Sequence, residues 1–152
     1  MSELPEEPEE EIKGDEELPK TRAESLCPCK SGHSYYTCCM PLHYRKAKAS
    51  TAEELMRSRY SAYFFRLTDY IYETTHPDKR EPSLKKELSK TIHNISWQFL
   101  TIVNTSKGGK GDKTGKVEFI AKCYVEGEEH EQHEKSRFKR YKGDWKYLDD
   151  KG

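Results

Sequence analysis

The sequence has no long apolar run, since no stretch of its 152 residues approaches the roughly 20 apolar residues that a membrane-spanning helix needs. It also lacks the basic and then apolar start of a secretory signal, because its first residues, MSELPEEPEEEIKGDEELPK, are acidic. We therefore expect a cytoplasmic protein that does not associate with membranes. With only 33% hydrophobic residues, the chain can form one domain of ordinary size together with appendages.

The chain has no net charge, but its charges are unevenly distributed. Residues 1–25 contain ten acidic and three basic side chains, a net charge of −7, which leaves 24 basic and 17 acidic side chains, or +7, in residues 26–152. Because residues 1–25 are also poor in apolar side chains, we predict a disordered acidic tail there. This tail would act as a solvating leader, or it would fold back over a basic groove and compete with an anionic partner.

Only five cysteines are present, yet four of them lie within thirteen positions of the stretch CPCKSGHSYYTCCMPLH. Clustered cysteines in a reducing compartment are typical of a metal site, although a redox pair or a vicinal disulfide is an alternative. Four thiolates suit one tetrahedral Zn²⁺ and leave no open position, so the ion would be structural. We predict a zinc knuckle at 26–43 with His43 as a reserve ligand and with these metal ligands: Cys27, Cys29, Cys38 and Cys39.

Helical patterns follow the knuckle. Thr51 and Glu54 fit a capping box, and apolar residues at three- and four-residue spacing between Ala52 and Leu67 predict the first long helix. A shorter helix begins at Thr68 or Asp69 and must end before Pro77, since the residue before a proline is driven out of the helical region. A third helix is predicted for SLKKELSKTIHN, at 83–94.

From Ile95 the apolar pattern has a period of two, which predicts strands. The glycine-rich loop KGGKGDKTG turns the chain back, and it lacks the GK[ST] ending of a phosphate-binding loop. Helices followed by antiparallel strands predict an α+β domain at 50–150. In the first strand two sets of residues alternate, as expected of a strand that is covered on one face: Ile95, Trp97, Phe99, Thr101 and Val103 in one set, and Ser96, Gln98, Leu100 and Ile102 in the other. The later strands are predicted at 116–127, 130–142 and 145–148.

Several motifs also carry a resemblance to known proteins. Cys-Pro-Cys, Ser31-Gly32, Tyr35 and Cys38-Cys39 resemble the SEC-C motif, a zinc knuckle found at the C-terminus of the SecA translocation motor, although Lys30 stands where glycine is usual. The remaining motifs resemble the bacterial YchJ-like family: LMRSRYSAY from Leu55, Thr75-His76-Pro77, Trp97 with Leu100 and Ile102, His133-Glu134-x-Ser136-Arg137-Phe138, and Gly143-x-Trp145-x-Tyr147. This resemblance implies a nuclear-transport-factor-2-like cone, in which a helical layer covers a curved antiparallel sheet around a pocket.

Arg59 lies within the apolar stripe of the first long helix. If the domain is a cone around a pocket, Arg59 would face that pocket. Arg59 would pair there with Glu134 or with an anionic ligand; the alternative is a snorkelling side chain or a structural ion pair. His133 and Glu134 invite a general-base interpretation, but neighbouring strand residues point to opposite faces. The predicted pocket residues are Arg59, Tyr60, His76, Trp97, His133 and Glu134.

Basic residues surround the knuckle and form a candidate partner-binding patch: Lys30, His33, Arg45, Lys46 and Lys48. The leading hypothesis is a zinc-binding interaction or adaptor protein, and the SecA resemblance implies a chaperone or ribosomal partner. The rival hypothesis is a small-molecule enzyme of hydrolase or isomerase type that uses His133 or His76 as a base. Direct binding of nucleic acid is a third hypothesis, which rests only on the basic patch.

Overall fold

A computed structural model describes residues 23–152. The predicted acidic tail at 1–25 therefore lies, apart from its last three residues, outside the described residues. Four α-helices precede four strands within the described part: α1 (Met40–His43), α2 (Ala52–Phe65), α3 (Thr68–Glu73), α4 (Leu84–Thr91), β1 (Ile95–Lys107), β2 (Thr114–Val125), β3 (Glu128–Tyr141) and β4 (Asp144–Asp149). The last three helices and the strands follow the order that the sequence predicts, whereas α1 was not predicted. Within residues 23–152, no helix combines the length and the apolar character needed to cross a membrane.

Helix α2 begins where the capping pattern predicts. The Thr51 hydroxyl accepts a hydrogen bond from the Glu54 N–H at 3.1 Å, and the Glu54 carboxylate accepts one from the Ser50 N–H at 2.8 Å. These bonds satisfy N–H groups that the helix itself leaves unpaired at its N-terminus. The helix ends at Arg66, which adopts a left-handed conformation with φ of 63°. Helix α2 packs against the strands through Leu55, Met56 and Tyr60, which are all buried.

The four strands form one curved antiparallel sheet in the order β1-β2-β3-β4, so each strand pairs with its neighbour in the chain. The α+β architecture of a helical layer on a curved antiparallel sheet is thus confirmed. A single apolar cluster connects the two layers and includes Leu100, Val117, Phe138 and Trp145. The same cluster contains Cys27 from the knuckle, so the knuckle and the domain share one continuous core.

The regular alternation predicted for β1 is interrupted beyond Trp97. A bulge between Trp97 and Phe99 shifts the pairing with β2 by one residue. An extra residue reverses which side chains face the core. Leu100 is therefore buried, while Phe99 is 41% exposed and Val103 is 48% exposed on the opposite face.

The glycine-rich turn between β1 and β2 is docked against the start of α2. The Ala52 N–H donates to the Gly108 carbonyl at 2.9 Å. A Cβ atom on Gly115 would lie 2.4 Å from the Gly108 Cα, which is too close for two carbon atoms that are not bonded to each other. Glycine at 115 thus allows the turn to close, and the closed turn supports the helix that carries the sites described next.

Candidate functional site

The knuckle brings the four predicted cysteine ligands together. All four Sγ atoms lie within 4.8 Å of one another, and all five cysteines of the chain are free thiols. The Cys29 and Cys38 sulfurs are 3.6 Å apart, and the Cys38 and Cys39 sulfurs are 3.9 Å apart. Tetrahedral coordination with metal–sulfur bonds of about 2.3 Å places sulfurs about 3.8 Å apart. Both measured separations are close to this value, so the cluster is compatible with a single tetrahedral ion.

Backbone turns create this arrangement. The Cys27 N–H donates to the His33 carbonyl at 2.8 Å, and the Lys30 N–H donates to the Cys27 carbonyl at 3.1 Å, which closes the loop between the two cysteine pairs. Lys30 has φ of 67°, a left-handed conformation that glycine adopts with less strain. The second pair ends at Cys39, directly before α1.

Hydrogen bonds within the cluster divide the thiols into two pairs. Hydrogen bonding to Cys29 raises the pKa of Cys27, and hydrogen bonding to Cys27 raises the pKa of Cys39, whereas the pKa values of the other two thiols are lowered. Hydrogen bonds from Cys27, and then from Cys38 and Cys39, lower the pKa of the Cys29 thiol far below its usual range. Hydrogen bonding to Cys27, with a further contribution from Cys39, lowers the pKa of Cys38 to about 7. The Ser31 hydroxyl lies 3.2 Å from the Cys38 sulfur and stabilises negative charge there. Cys29 and Cys38 are thus the two members of the cluster that most readily take the thiolate form.

Side chains of α2 support the knuckle from behind. Arg57 donates from Nη1 to the Cys29 carbonyl at 2.7 Å and pairs through Nε with Glu53 at 3.1 Å. The Ser61 hydroxyl lies 3.8 Å from the Cys27 sulfur. Sequence reasoning missed both residues, since nothing local to the cysteine motif shows which helix lies behind it.

His43, the reserve ligand, is used elsewhere. Its Nε2 donates to the Ser58 carbonyl at 2.8 Å, which leaves Nδ1 to accept from the Tyr35 hydroxyl at 2.7 Å. Burial, opposed by the bond to Ser58, lowers the pKa of His43 to about 4. A neutral imidazole with both nitrogens occupied has no atom left for a metal, so His43 joins α1 to α2 instead.

A cavity of about 210 Å³ lies between α2 and the sheet, on the side of α2 away from the knuckle. Four of the six predicted pocket residues contribute to its lining: Arg59, Tyr60, Trp97 and Glu134. Gln132 and Ser136 also line the cavity and were missed. They alternate with Glu134 along β3, so the period of two would have identified them once Glu134 was placed inward.

The two histidines predicted for the pocket lie outside this lining. His133 is exposed on the other face of the sheet, where its Nε2 lies 2.6 Å from a Glu118 carboxylate oxygen. His76 is buried, its backbone N–H donates to the Tyr147 carbonyl, its Nδ1 accepts from the Asp78 N–H at 3.1 Å, and its ring packs on Tyr141. The geometry thus gives no support to a general-base role for either histidine.

The predicted basic patch is partly engaged in internal ion pairs. Arg45 pairs with Glu73 at 2.6 Å, and Lys48 pairs with Asp144 at 3.0 Å. Both pairs connect the segment after the knuckle to the body of the domain. Three patch residues form no ion pair with any residue of 23–152: Lys30, His33 and Lys46.

Comparison with known proteins gives consistent matches. A family model described as the YchJ middle NTF2-like domain matches residues 51–150. A UPF0225 protein of Geobacter sulfurreducens is 41% identical over 128 residues, which cover 84% of this chain and 80% of that protein. A UPF0225 protein of Chromobacterium violaceum is 39% identical over 129 residues, which cover 85% of this chain and 94% of that protein.

Two solved structures share the fold. The solution structure of a SEC-C motif containing protein from Rhodopseudomonas palustris matches with a TM-score of 0.73 and 36% identity, covering 81% of this chain and 94% of that one. The crystal structure of a SEC-C motif containing protein from Psychrobacter arcticus matches with a TM-score of 0.73 and 27% identity, covering 86% of this chain and 84% of that one. Both solved proteins are described as containing a SEC-C motif, and both have an overall fold similar to that of this chain.

Proposed function

Because this chain belongs to the YchJ-like family, we propose that it is a zinc-binding interaction protein whose metal-folded knuckle contacts a partner protein. The observation that carries the proposal is the cluster of four cysteine sulfurs within 4.8 Å of one another. Zn²⁺ is the ion that tetrahedral sites with four thiolates usually hold. All four positions would be taken by protein sulfurs, so the ion would shape the knuckle rather than catalyse a reaction.

The knuckle also presents a recognition surface. A groove of about 650 Å³ runs between the knuckle and the start of α2, lined by Ser31, His33, Cys38, Lys48 and Arg57 among others. Cys38 is the one partly exposed member of the four ligands, so the metal centre reaches this surface. The net charge of +7 in residues 26–152 favours an acidic segment of a partner protein over a basic one.

Metal content tests the first part of the proposal. We expect elemental analysis of the reduced, purified chain to find one Zn²⁺ per molecule, and we expect Cys38→Ser to reduce this content sharply because one of four thiolates is lost. Cys123→Ser is the matched control, since Cys123 is buried in β2 and lies outside the cluster. Wild-type protein that retains no zinc, or equal losses from both variants, would contradict the proposal.

Partner capture tests the second part. Charge reversal at Lys30, His33 and Lys46 should abolish capture of the partner, as should removal of zinc by a chelator. Reversal of Lys110 and Lys113, which lie in the turn between β1 and β2, is the control and should leave capture intact. Capture that survives the chelator would refute a role for the knuckle. Capture that nuclease removes, with a steep salt dependence, would instead favour binding of nucleic acid.

A further inference from the structure

The cavity between α2 and the sheet contains a buried cation without a carboxylate partner. Arg59 is 7% exposed, and its side chain lines the cavity. Its Nη1 donates to the Ile71 carbonyl at 3.0 Å, to the Thr74 hydroxyl at 2.8 Å and to the Thr75 hydroxyl at 3.3 Å. All three acceptors are neutral, so the guanidinium is held in place without direct contact to a carboxylate.

The remaining edge of the guanidinium is available to a ligand. Within residues 23–152, neither Nε nor Nη2 of Arg59 forms a hydrogen bond, and no carboxylate forms an ion pair with this side chain. The guanidinium lies over the Tyr147 ring, 4.5 Å from its centroid, which fixes its plane. A buried charge without a counterion is unfavourable, and a planar pair of N–H donors matches a carboxylate.

Glu134 also lines the cavity, but its oxygens are already engaged. Oε1 accepts from Gln132 at 2.5 Å, and Oε2 accepts from the Ser136 hydroxyl at 2.6 Å and the Tyr147 hydroxyl at 3.2 Å. These donors stabilise the charge of Glu134 locally. Glu134 therefore makes no direct ion pair with Arg59, and it forms a charged wall of the same cavity that a ligand hydroxyl could contact.

The rest of the lining is apolar and aromatic. Tyr60, Tyr63, Trp97 and Phe119 surround the cavity, and the Tyr60 and Trp97 rings meet edge to face at a centroid distance of 5.9 Å. The volume of about 210 Å³ exceeds the roughly 150 Å³ of an apolar cavity that binds benzene. An aromatic ring together with a short acidic side chain therefore fits.

We propose that this cavity binds a small organic acid with an aromatic or branched aliphatic body. The ligand carboxylate accepts hydrogen bonds from Nε and Nη2 of Arg59, and the body packs among Tyr60, Tyr63 and Trp97. The site is separate from the metal centre, because α2 lies between them. Binding of the acid is thus a second activity, which requires neither the metal ion nor a partner protein.

Titration of the zinc-loaded protein with phenylacetate tests this proposal. The indole N–H signal of Trp97 in an NMR spectrum reports on the cavity, while that of Trp145, which donates to the Ser50 carbonyl, reports on a site outside it. We expect a saturable shift of the Trp97 signal. We also expect phenylacetamide, which has the same shape without the charge, to bind about tenfold or more weakly, since a hydrogen bond to a charged group is the stronger one.

Arg59→Gln should weaken phenylacetate binding by at least about the same factor, because it removes the charge and keeps a polar side chain. Arg66→Gln is the matched control, because Arg66 is exposed at the end of α2 and its loss changes the net charge equally. Equal affinity for the acid and the amide, preference for phenethylamine, or no saturable shift would overturn the proposal. The comparison of acid and amide uses the wild-type chain, so it remains decisive if Arg59→Gln fails to fold.

Discussion

At the scale of single residues, Tyr35 and His43 connect the knuckle to the helical layer. The Tyr35 hydroxyl donates to His43 Nδ1, and His43 in turn donates to the Ser58 carbonyl of α2. Both side chains are buried, so water cannot replace a lost partner. These two hydrogen bonds fix α1 relative to α2 and do not involve the cysteine ligands.

Tyr35→Phe is expected to reduce the free energy of unfolding by about 1–3 kcal/mol, because it leaves a buried imidazole nitrogen without a donor. Denaturant unfolding of the zinc-loaded protein measures this change. Tyr124→Phe, at a tyrosine that is 42% exposed, removes the same hydroxyl and should change stability little. Similar values for the two variants would contradict the role assigned to Tyr35.

The Arg137–Asp149 pair gives the protein a predictable response to acid. Arg137 donates to the two Asp149 oxygens at 2.7 and 2.6 Å and thereby lowers the pKa of Asp149 below its ordinary value. Because the pKa is lower in the folded state, the stabilisation is present above the pKa of the unfolded chain, about 4. It is lost as the pH falls from there through the folded pKa.

Asp149→Asn should therefore destabilise the protein at neutral pH, and the difference from wild type should shrink as the pH falls below about 4. Paired denaturant curves across this range measure that difference, and acid effects common to both proteins cancel. A difference that stays constant or grows towards low pH would contradict the assignment.

At the scale of elements, α2 carries a different function on each side. Arg57 and Ser61 face the knuckle, whereas Arg59, Tyr60 and Tyr63 line the cavity. The glycine-rich turn between β1 and β2 holds the start of this helix through the bond from Ala52 to Gly108. A change in that turn therefore acts on both sites through the helix.

Gly115→Ala should destabilise the domain by about 1–3 kcal/mol, because the new methyl group would meet backbone that cannot move aside independently. Thermal unfolding of the zinc-loaded protein checks this value. Gly111→Ala in the same turn is the control, since no atom lies within 4 Å of the position of its added Cβ. Equal melting temperatures for the two variants would show that the close approach at Gly115 is unimportant.

At the scale of the whole molecule, the parts that follow from local sequence were predictable. The Thr51 cap, the order of helices and strands, and the cysteine cluster each depend on residues that lie near one another in the chain. The face of β1 was not predictable, because its bulge arises from pairing with β2. The placement of His76 outside the cavity likewise depends on its contacts with β3 and β4, residues distant in the chain.

Because the core is shared, a metal ion bound by the four cysteines would be a determinant of the whole fold rather than of the knuckle alone. Cys27, Cys29 and Cys39 pack in the same cluster as Leu100, Val117 and Phe138. The knuckle is too short to form a core of its own, so metal binding would supply much of its folding energy. Loss of the ion would expose one side of that common cluster.

X-ray absorption at the zinc edge of the purified, reduced protein is the measurement that tests this centre most directly. We predict a single shell of four sulfur atoms at about 2.3 Å from zinc. A shell that contains nitrogen or oxygen in place of one or more sulfurs, or protein that holds no zinc to measure, would contradict the account.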